Sequence, residues 1–278
     1  MVMGLPWGQR TLVMGVINLT PDSFSDGGRF ERPEQALAQA RRMVAAGADV
    51  LDLGGQSTRP GAAEVGAAAE LARLLPALRA IRAACPEVLL SVDTFLAPVA
   101  EAALAAGANW VNDVRGASSL RDPAMLELVA AAGCPYVLMH SRGDSAAMDG
   151  LASYGDVVAE VREGLRAASD QAIAAGVQPE QLIWDPGLGF AKTTDQNLAL
   201  LRGLPSLRAE GFPLLLGPSR KRFIGAELDQ PRAHGRLWGT AAVCAQAISA
   251  GADVLRVHDV APIVQTARMT DAIVRGLA

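Results

Sequence analysis

Gly47-Ala48-Asp49-Val50-Leu51-Asp52 packs three signals into six residues: the stop of a helix, the start of an apolar strand and a polar residue at that strand's end. Glycine takes the left-handed backbone that closes a helix more readily than any other residue. The same order returns at Gly107-Ala108-Asn109-Trp110-Val111-Asn112-Asp113 and at Gly251-Ala252-Asp253-Val254-Leu255-Arg256-Val257-His258. Each copy reads as the αβ half of a βαβ unit. Repeated with polar strand ends, such units build a functional surface at one end of a parallel barrel.

Working outward, eight apolar runs read as strands: 12–17, 50–53, 88–92, 110–111, 136–139, 182–184, 213–216 and 254–257. Eight is the number that closes a (β/α)8 TIM barrel. The stretches between them carry helical signals. One helix opens with Pro33-Glu34, proline at its first position, runs through Leu37, Ala40 and Val44, and stops at Gly47. The next shows Leu71, Leu74, Leu75, Leu78 and Ile81, an apolar stripe of helical period. No Gly-x-Gly-x-x-Gly follows the first strand, which argues against a doubly wound open sheet.

The chain has 278 residues and such a barrel needs roughly 250, so a single α/β domain over 1–278 is expected. Half the residues are hydrophobic and 19% are charged, which suits strands buried on both faces and excludes a disordered or fibrous chain. A formal charge of −4, with no stripe of Lys and Arg, predicts no nucleic-acid partner. Cys85, Cys134 and Cys244 are odd in number and far apart in apolar contexts, so neither disulfides nor a zinc site is expected and a cytoplasmic location fits. Residues 1–10 show no basic segment ahead of an apolar stretch, and no run of about 18 apolar residues occurs, so no membrane association is expected.

Three connections after strands, 18–32, 55–66 and 141–154, are long and rich in Gly, Ser or Pro. Loops after strands lie at the C-terminal face, where barrel enzymes keep their chemistry. The strand-end residues are Asn18, Asp52, Asp93, Asn112 with Asp113, His140, Asp185, Ser219 to Lys221, and Arg256 with His258. Asp93, Asn112 and Asp185 suit the edge of a planar heterocycle with amidine-like N–H donors, because a carboxylate accepts two parallel bonds. Asn18, Arg256 and His258 suit an anionic group or a metal-bound phosphate. Asp52, Asp113 and Asp259 read equally well as helix N-caps, Asp185 before Pro186-Gly187 as a turn residue, and His140 as a simple partner for a nearby carbonyl.

Lysine usage supplies a separate pointer. Of 25 basic residues only Lys192 and Lys221 are lysine, so a compact ammonium was retained at those two places in a chain that otherwise uses arginine. Lys221 follows the seventh strand, a region of such barrels that commonly takes phosphate or other anions.

Several of these segments share an ordered resemblance. Met14-Gly15-Val16-Ile17-Asn18-Leu19-Thr20-Pro21-Asp22-Ser23-Phe24-Ser25-Asp26-Gly27-Gly28 and Gly54-Gly55-Gln56-Ser57-Thr58-Arg59-Pro60-Gly61 resemble the two signatures of the dihydropteroate synthase family. Ser91-Val92-Asp93-Thr94, Asn112-Asp113-Val114, Asp185-Pro186-Gly187-Leu188-Gly189-Phe190, Ser219-Arg220-Lys221 and Arg256-Val257-His258-Asp259-Val260 continue the match in order from the first strand to the last.

The resemblance implies a homodimeric transferase of folate synthesis that joins 4-aminobenzoate to 6-hydroxymethyl-7,8-dihydropterin diphosphate with the help of Mg²⁺. It implies that Asp93, Asn112, Asp185 and Lys221 bind the pterin with Met139 and Phe190 near its ring. It further implies that Asn18 contacts Mg²⁺, that Arg256 and His258 anchor the diphosphate, and that Thr58 and Arg59 belong to a mobile loop over the reacting centre, with Ser219 at the aminobenzoate pocket. Catalysis would then rest on Asp93, Asp185, Lys221 and Arg256, because a neutral aromatic amine needs no strong base or covalent nucleophile. Two positions depart from the family pattern: Gln56 replaces the usual Glu, and Arg222 stands where Ser is common. A related barrel type, the pterin-binding domain of cobalamin-dependent methyltransferases, is disfavoured by Ser219-Arg220-Lys221 and by the Thr20-Pro21-Asp22-Ser23-Phe24-Ser25 loop.

Overall fold

The computed structural model describes residues 5–20, 33–58 and 61–276. Strand and helix alternate from β1 (Leu12–Asn18) and α1 (Pro33–Ala45) through β2 (Val50–Gly54), α2 (Ala67–Ala84), β3 (Leu89–Asp93), α3 (Ala97–Ala105), β4 (Trp110–Asp113), α4 (Ala124–Ala132) and β5 (Tyr136–Met139). The series continues with α5 (Val157–Ala174), β6 (Leu182–Asp185), α6 (Thr194–Arg208), β7 (Leu215–Leu216), α7 (Arg222–Glu227), α8 (Leu237–Ser249), β8 (Val254–Val257) and α9 (Val260–Arg275). Every strand pair is parallel, in the order β6-β5-β4-β3-β2-β1-β8-β7. A parallel bridge between Trp184 and Leu214 brings the two ends together, and Trp184 N–H donates to the Pro213 carbonyl at 2.9 Å. The architecture is the expected (β/α)8 barrel.

The strands differ from the sequence expectation mostly at their ends. β1, β4 and β6 run on through Asn18, Asp113 and Asp185, because ladder bonds between backbones do not depend on whether the side chain is polar. β3 starts at Leu89 rather than residue 88. β7 shrinks to two residues. Pro213 has no N–H to give to a ladder, and Gly217-Pro218 follows directly.

The period-2 alternation sorts the strand residues into two cores. Leu12, Met14, Val50, Trp110, Val137, Ile183, Leu215 and Val254 fill the barrel itself, with Leu5 and Trp7 packed against them. The alternate residues, among them Val13, Ile17, Leu51, Leu53, Leu90 and Val111, meet the helices in the main cluster. Each fully buried aliphatic side chain contributes roughly 1.5–3 kcal/mol.

The recurring Gly-Ala-Asp/Asn units have a structural role at the opposite end of the strands from the chemistry. Gly47, Gly107 and Gly251 sit at φ near +100°, which lets the chain turn sharply from helix into strand. The next polar residue then clasps the neighbouring strand with two bonds. Asp49 donates its N–H to the Val13 carbonyl at 2.9 Å and accepts the Val13 N–H at 2.9 Å. Asn109 does the same with Leu90 at 2.7 and 2.9 Å, and Asp253 with Leu214 at 2.9 and 3.0 Å. No helix among the described residues is long and apolar enough to cross a membrane.

Candidate active site

Alternation along parallel strands aims Asn18, Asp52, Asp93, Asn112, Met139, Asp185 and Arg256 toward the barrel axis at the C-terminal end. Parallel register sets their heights: Asp93 lies beside Asn112, Gly54 beside Asp93 and Met139 beside Asp185. A Cβ on Gly54 would come within 3.4 Å of the Asp93 carboxylate, so the missing side chain leaves Asp93 its place.

The centre of the constellation is an arginine between two carboxylates. Arg256 Nε donates to Asp52 Oδ2 at 2.6 Å and its Nη2 donates to Asp93 Oδ2 at 2.5 Å. Asn112 Nδ2 donates to the same Asp52 oxygen at 3.1 Å. The second oxygens, Asp52 Oδ1 and Asp93 Oδ1, are buried and have no hydrogen-bond partner among the described residues. A buried acceptor left unpaired costs about 1–3 kcal/mol, and of the two only Asp93 lines the cavity where a ligand could bring a donor.

Electrostatics follow from burial. Desolvation raises the Asp93 pKa well above the usual carboxylate range; Arg256 opposes this and Asp52 adds to it. Asp185 is likewise raised by burial, against the Gly187 N–H that it accepts at 2.7 Å and the charge of Lys221. Burial works against the Arg256 charge, but Asp52 and Asp93 outweigh it and push the guanidinium further up. Lys221 falls to about 8 through burial and the nearby Arg256; its Nζ lies 4.3 Å from the centre of the Phe190 ring, a cation–π contact. His258 falls to about 3 through burial, Arg256 and Arg220, and is therefore neutral. Ser219 Oγ accepts the His258 backbone N–H at 3.1 Å and lies 3.0 Å from its Nδ1. Ser219 thus fixes the ring through Nδ1 and leaves Nε2 turned away from this contact.

A cavity of about 710 Å³ opens over this network, and its wall includes Asn18, Thr58, Asp93, Phe190, Ser219, Lys221, Arg256 and His258. Asn112, Met139 and Asp185 lie outside that wall. Met139 packs with Phe95 and Val114, and Phe190 covers that small cluster. Arg59 falls outside the described residues, as do 21–32 of the first long loop. Gln56 turns inward and accepts the Val65 N–H at 2.8 Å, pinning the second loop. Arg222 forms a two-pronged pair with Asp149 at 2.6 and 3.1 Å, which ties the loop after β7 to the one after β5.

The open alternatives resolve in different directions. Asp52 is no cap: it is fully buried in the barrel, where it accepts from Arg256 and Asn112. The strand alternation shared with Asp93 is the signal that points to it. Asp113 is structural, accepting the Tyr136 hydroxyl at 2.7 Å and the Arg115 N–H at 2.8 Å. Asp259 occupies the N-cap position of α9 but makes no side-chain cap; it binds Arg220 with two bonds at 2.6 and 2.9 Å. That clamp holds Arg220 at φ 60°, a strained left-handed turn that presents both Ser219 and Lys221 to the cavity. His140 Nδ1 meets Lys192 Nζ at 3.2 Å rather than a carbonyl.

The model of the family described as pterin binding enzyme matches residues 14–258. The dihydropteroate synthase of Synechocystis sp. is 51% identical over 269 residues, which cover 97% of this chain and 92% of that protein. The structure of Xanthomonas albilineans dihydropteroate synthase with 4-aminobenzoic acid has a TM-score of 0.90 at 42% identity, covering 98% of this chain and 95% of that one. The structure of the same organism's enzyme in complex with 7,8-dihydropteroate has a TM-score of 0.86 at 40% identity, covering 98% and 96%.

Proposed function

The chain belongs to the dihydropteroate synthase family of pterin-binding enzymes, transferases of folate biosynthesis, and from that premise we propose how its own residues divide the work. The reaction joins 6-hydroxymethyl-7,8-dihydropterin diphosphate to 4-aminobenzoate and releases pyrophosphate and 7,8-dihydropteroate. Asp93, Asn112 and Asp185 hold the pterin edge, Lys221 and Phe190 flank its ring with Met139 beside them, and Arg256 and His258 hold the diphosphate. The observation that carries this reading is the buried, unpaired Asp93 Oδ1 at the base of the cavity. It supplies the acceptor that an amidine-like N–H edge requires.

Breaking the bond from the methylene to the diphosphate leaves positive charge spread into the pterin. Asp93 and Asp185 stabilise that charge at fixed positions, without reorganising solvent. Arg256 and neutral His258 bind the departing oxygens. The arylamine of 4-aminobenzoate, entering past Thr58 and Ser219, attacks with its own lone pair, and the proton its nitrogen sheds as the C–N bond forms leaves with pyrophosphate or to solvent.

Asn18 is a fitting Mg²⁺ contact. No group of three or more His, Cys, Asp or Glu among the described residues forms a metal cage, and Mg²⁺ prefers one or two protein oxygens completed by phosphate and water. The Asn18 amide oxygen in the same cavity wall as Arg256 and His258 offers that arrangement. Bound there, the ion would neutralise charge on the leaving pyrophosphate.

The working unit is a homodimer in the cytoplasm. Exposed apolar side chains on the last helices, Trp238 at 78%, Ile273 at 70% and Met269 at 64%, support burial against a second copy. Three free cysteines suit a reducing compartment.

Purified protein with Mg²⁺ and both substrates is expected to form dihydropteroate with equimolar pyrophosphate, and Asp185→Ala to raise the KM for the pterin far more than that for 4-aminobenzoate. Absence of pyrophosphate release, with binding of methyltetrahydrofolate instead, would move the chain to the methyltransferase type. Equal losses for both substrates would displace the pterin from Asp185.

A further inference from the structure

Lys192, one of the chain's two lysines, has no part in the roles assigned above and lies outside the cavity wall, yet it is almost fully buried. Its Nζ meets three acceptors, as many as an ammonium has protons: the Phe190 carbonyl at 3.0 Å, the Gly187 carbonyl at 3.1 Å and His140 Nδ1 at 3.2 Å. The two carbonyls belong to the loop that follows β6, with Asp185 at one end and Phe190 at the other. Gly187 N–H donates to Asp185 Oδ1, and Phe190 N–H donates to the Gly187 carbonyl at 3.1 Å. Gly187 sits at φ +69°, and a Cβ there would lie 1.9 Å from the His140 carbonyl oxygen. The loop is thus pressed against the end of β5 and held shut from behind by one side chain.

We propose that Lys192 is a positioning residue for the pterin, fixing the Asp185 carboxylate and the Phe190 ring relative to each other by gripping the two carbonyls between them. The inference rests on the pterin lying against Asp185 and Phe190. The geometry asks for this residue type. Three bonds diverge from one atom, which an ammonium on an unbranched stem provides and a planar guanidinium does not. Asn197 supports the same loop from the helix side, accepting the Gly189 N–H at 2.7 Å, but it touches neither the Gly187 nor the Phe190 carbonyl. The charged and titratable groups facing Lys192 are His140, Arg142, Tyr154, Asp185 and Lys221. Burial lowers its pKa to about 7 against the pull of Asp185, so the ammonium is held with little to spare. Neutral His140, pushed down by burial and by Lys192 itself, keeps Nδ1 as an acceptor.

Steady-state kinetics on Lys192→Met and Lys192→Gln test the assignment. Methionine keeps the length and removes every donor, while glutamine returns two. The expected result is a pterin diphosphate KM raised on the order of tenfold or more in Lys192→Met, the size of losing a charge-assisted bond. The KM for 4-aminobenzoate should stay near its original value, and Lys192→Gln should fall between. A pin serving stability alone would lower the melting temperature with no such split, and equal KM values for the pterin in all three proteins would overturn the proposal. Asp185→Ala keeps the two readings apart: if it spares the pterin KM, the placement of the pterin fails, and if it does not while Lys192→Met does, only this inference fails.

A second readout uses the unaltered chain, whose two lysines give two side-chain signals under ε-¹³C labelling, assigned through Lys221→Met. If pterin binding and the closed loop favour each other, linkage requires the pterin to favour the ammonium and raise the Lys192 titration midpoint. A midpoint that stays in place with pterin bound would overturn the proposal even where neither Lys192 variant folds.

Discussion

Arg256 shows how a single residue carries two jobs that its neighbours separate. Its Nε and Nη2 are held by Asp52 and Asp93, so in the proposed arrangement the guanidinium facing the leaving group is aimed by carboxylates, one of which faces the pterin. The price of this economy is a buried carboxylate at Asp93 whose ionisation is delicate. Its folded pKa is raised by desolvation, to about 7, above the ordinary value near 3.9. The acceptor is thus present above that value and lost as the pH falls through it. Since kcat/KM reports the free enzyme, kcat/KM for the pterin diphosphate is expected to fall below about pH 7, by roughly tenfold per pH unit for a single proton. Asp93→Asn should be weak and should lack that break; the same break in Asp93→Asn would assign it to another group, such as the substrate's own phosphate. At this scale the chain discloses types but not partners. Lys192 and Lys221 stand out by rarity alone, yet only one of them reaches the cavity, and Asp52 looks like a cap until the barrel closes and sets it against Arg256.

Among the elements, the clasp at the start of β2, β4 and β8 carries the fold's own logic. A parallel strand begins with an N–H and a carbonyl that its neighbour must satisfy, and one Asp or Asn after Gly-Ala meets both needs of the adjacent strand. Asp253 is the fully buried member of the three, and accepts the Leu214 N–H at 3.0 Å and the Gly8 N–H at 2.8 Å. Asp253→Ala leaves both donors without that acceptor and is expected to destabilise the protein by about 1–3 kcal/mol in urea unfolding. Kinetic constants of the folded fraction should be unchanged; a stable variant with altered KM values would mean that the clasp reaches the site. The α1 and α2 periods were readable because amphipathic helices repeat their pattern over several turns. In β7, Pro213 and Leu214 look like strand in the sequence, but a residue without an N–H cannot extend the ladder. The 3₁₀ turns at Met148–Leu151 and Ala233–Arg236 have no period to betray them.

For the whole molecule, exposed Trp238, Met269 and Ile273 set an expectation about assembly. Sedimentation equilibrium should give twice the chain's 28.9 kDa mass; a monomer at micromolar concentration would refute the proposed dimer. The sequence by itself determined the barrel and the family, since both rest on local order: strand period, helix stops and motifs that follow one another from Asn18 to His258. It also named the donor and acceptor types gathered at the C-terminal ends of the strands, because donor and acceptor chemistry belongs to the side chain alone. Only the tertiary structure decided which groups pair and which stay unsatisfied. Arg256 and Asp52 are 204 residues apart, and their contact exists only because closing eight strands brings β8 beside β1 and points both side chains at one axis. The same closure buries Asp93, Asp185 and Lys192 and half-buries Lys221. Desolvation then shifts each of them toward neutrality, a property that depends on surroundings no linear stretch contains.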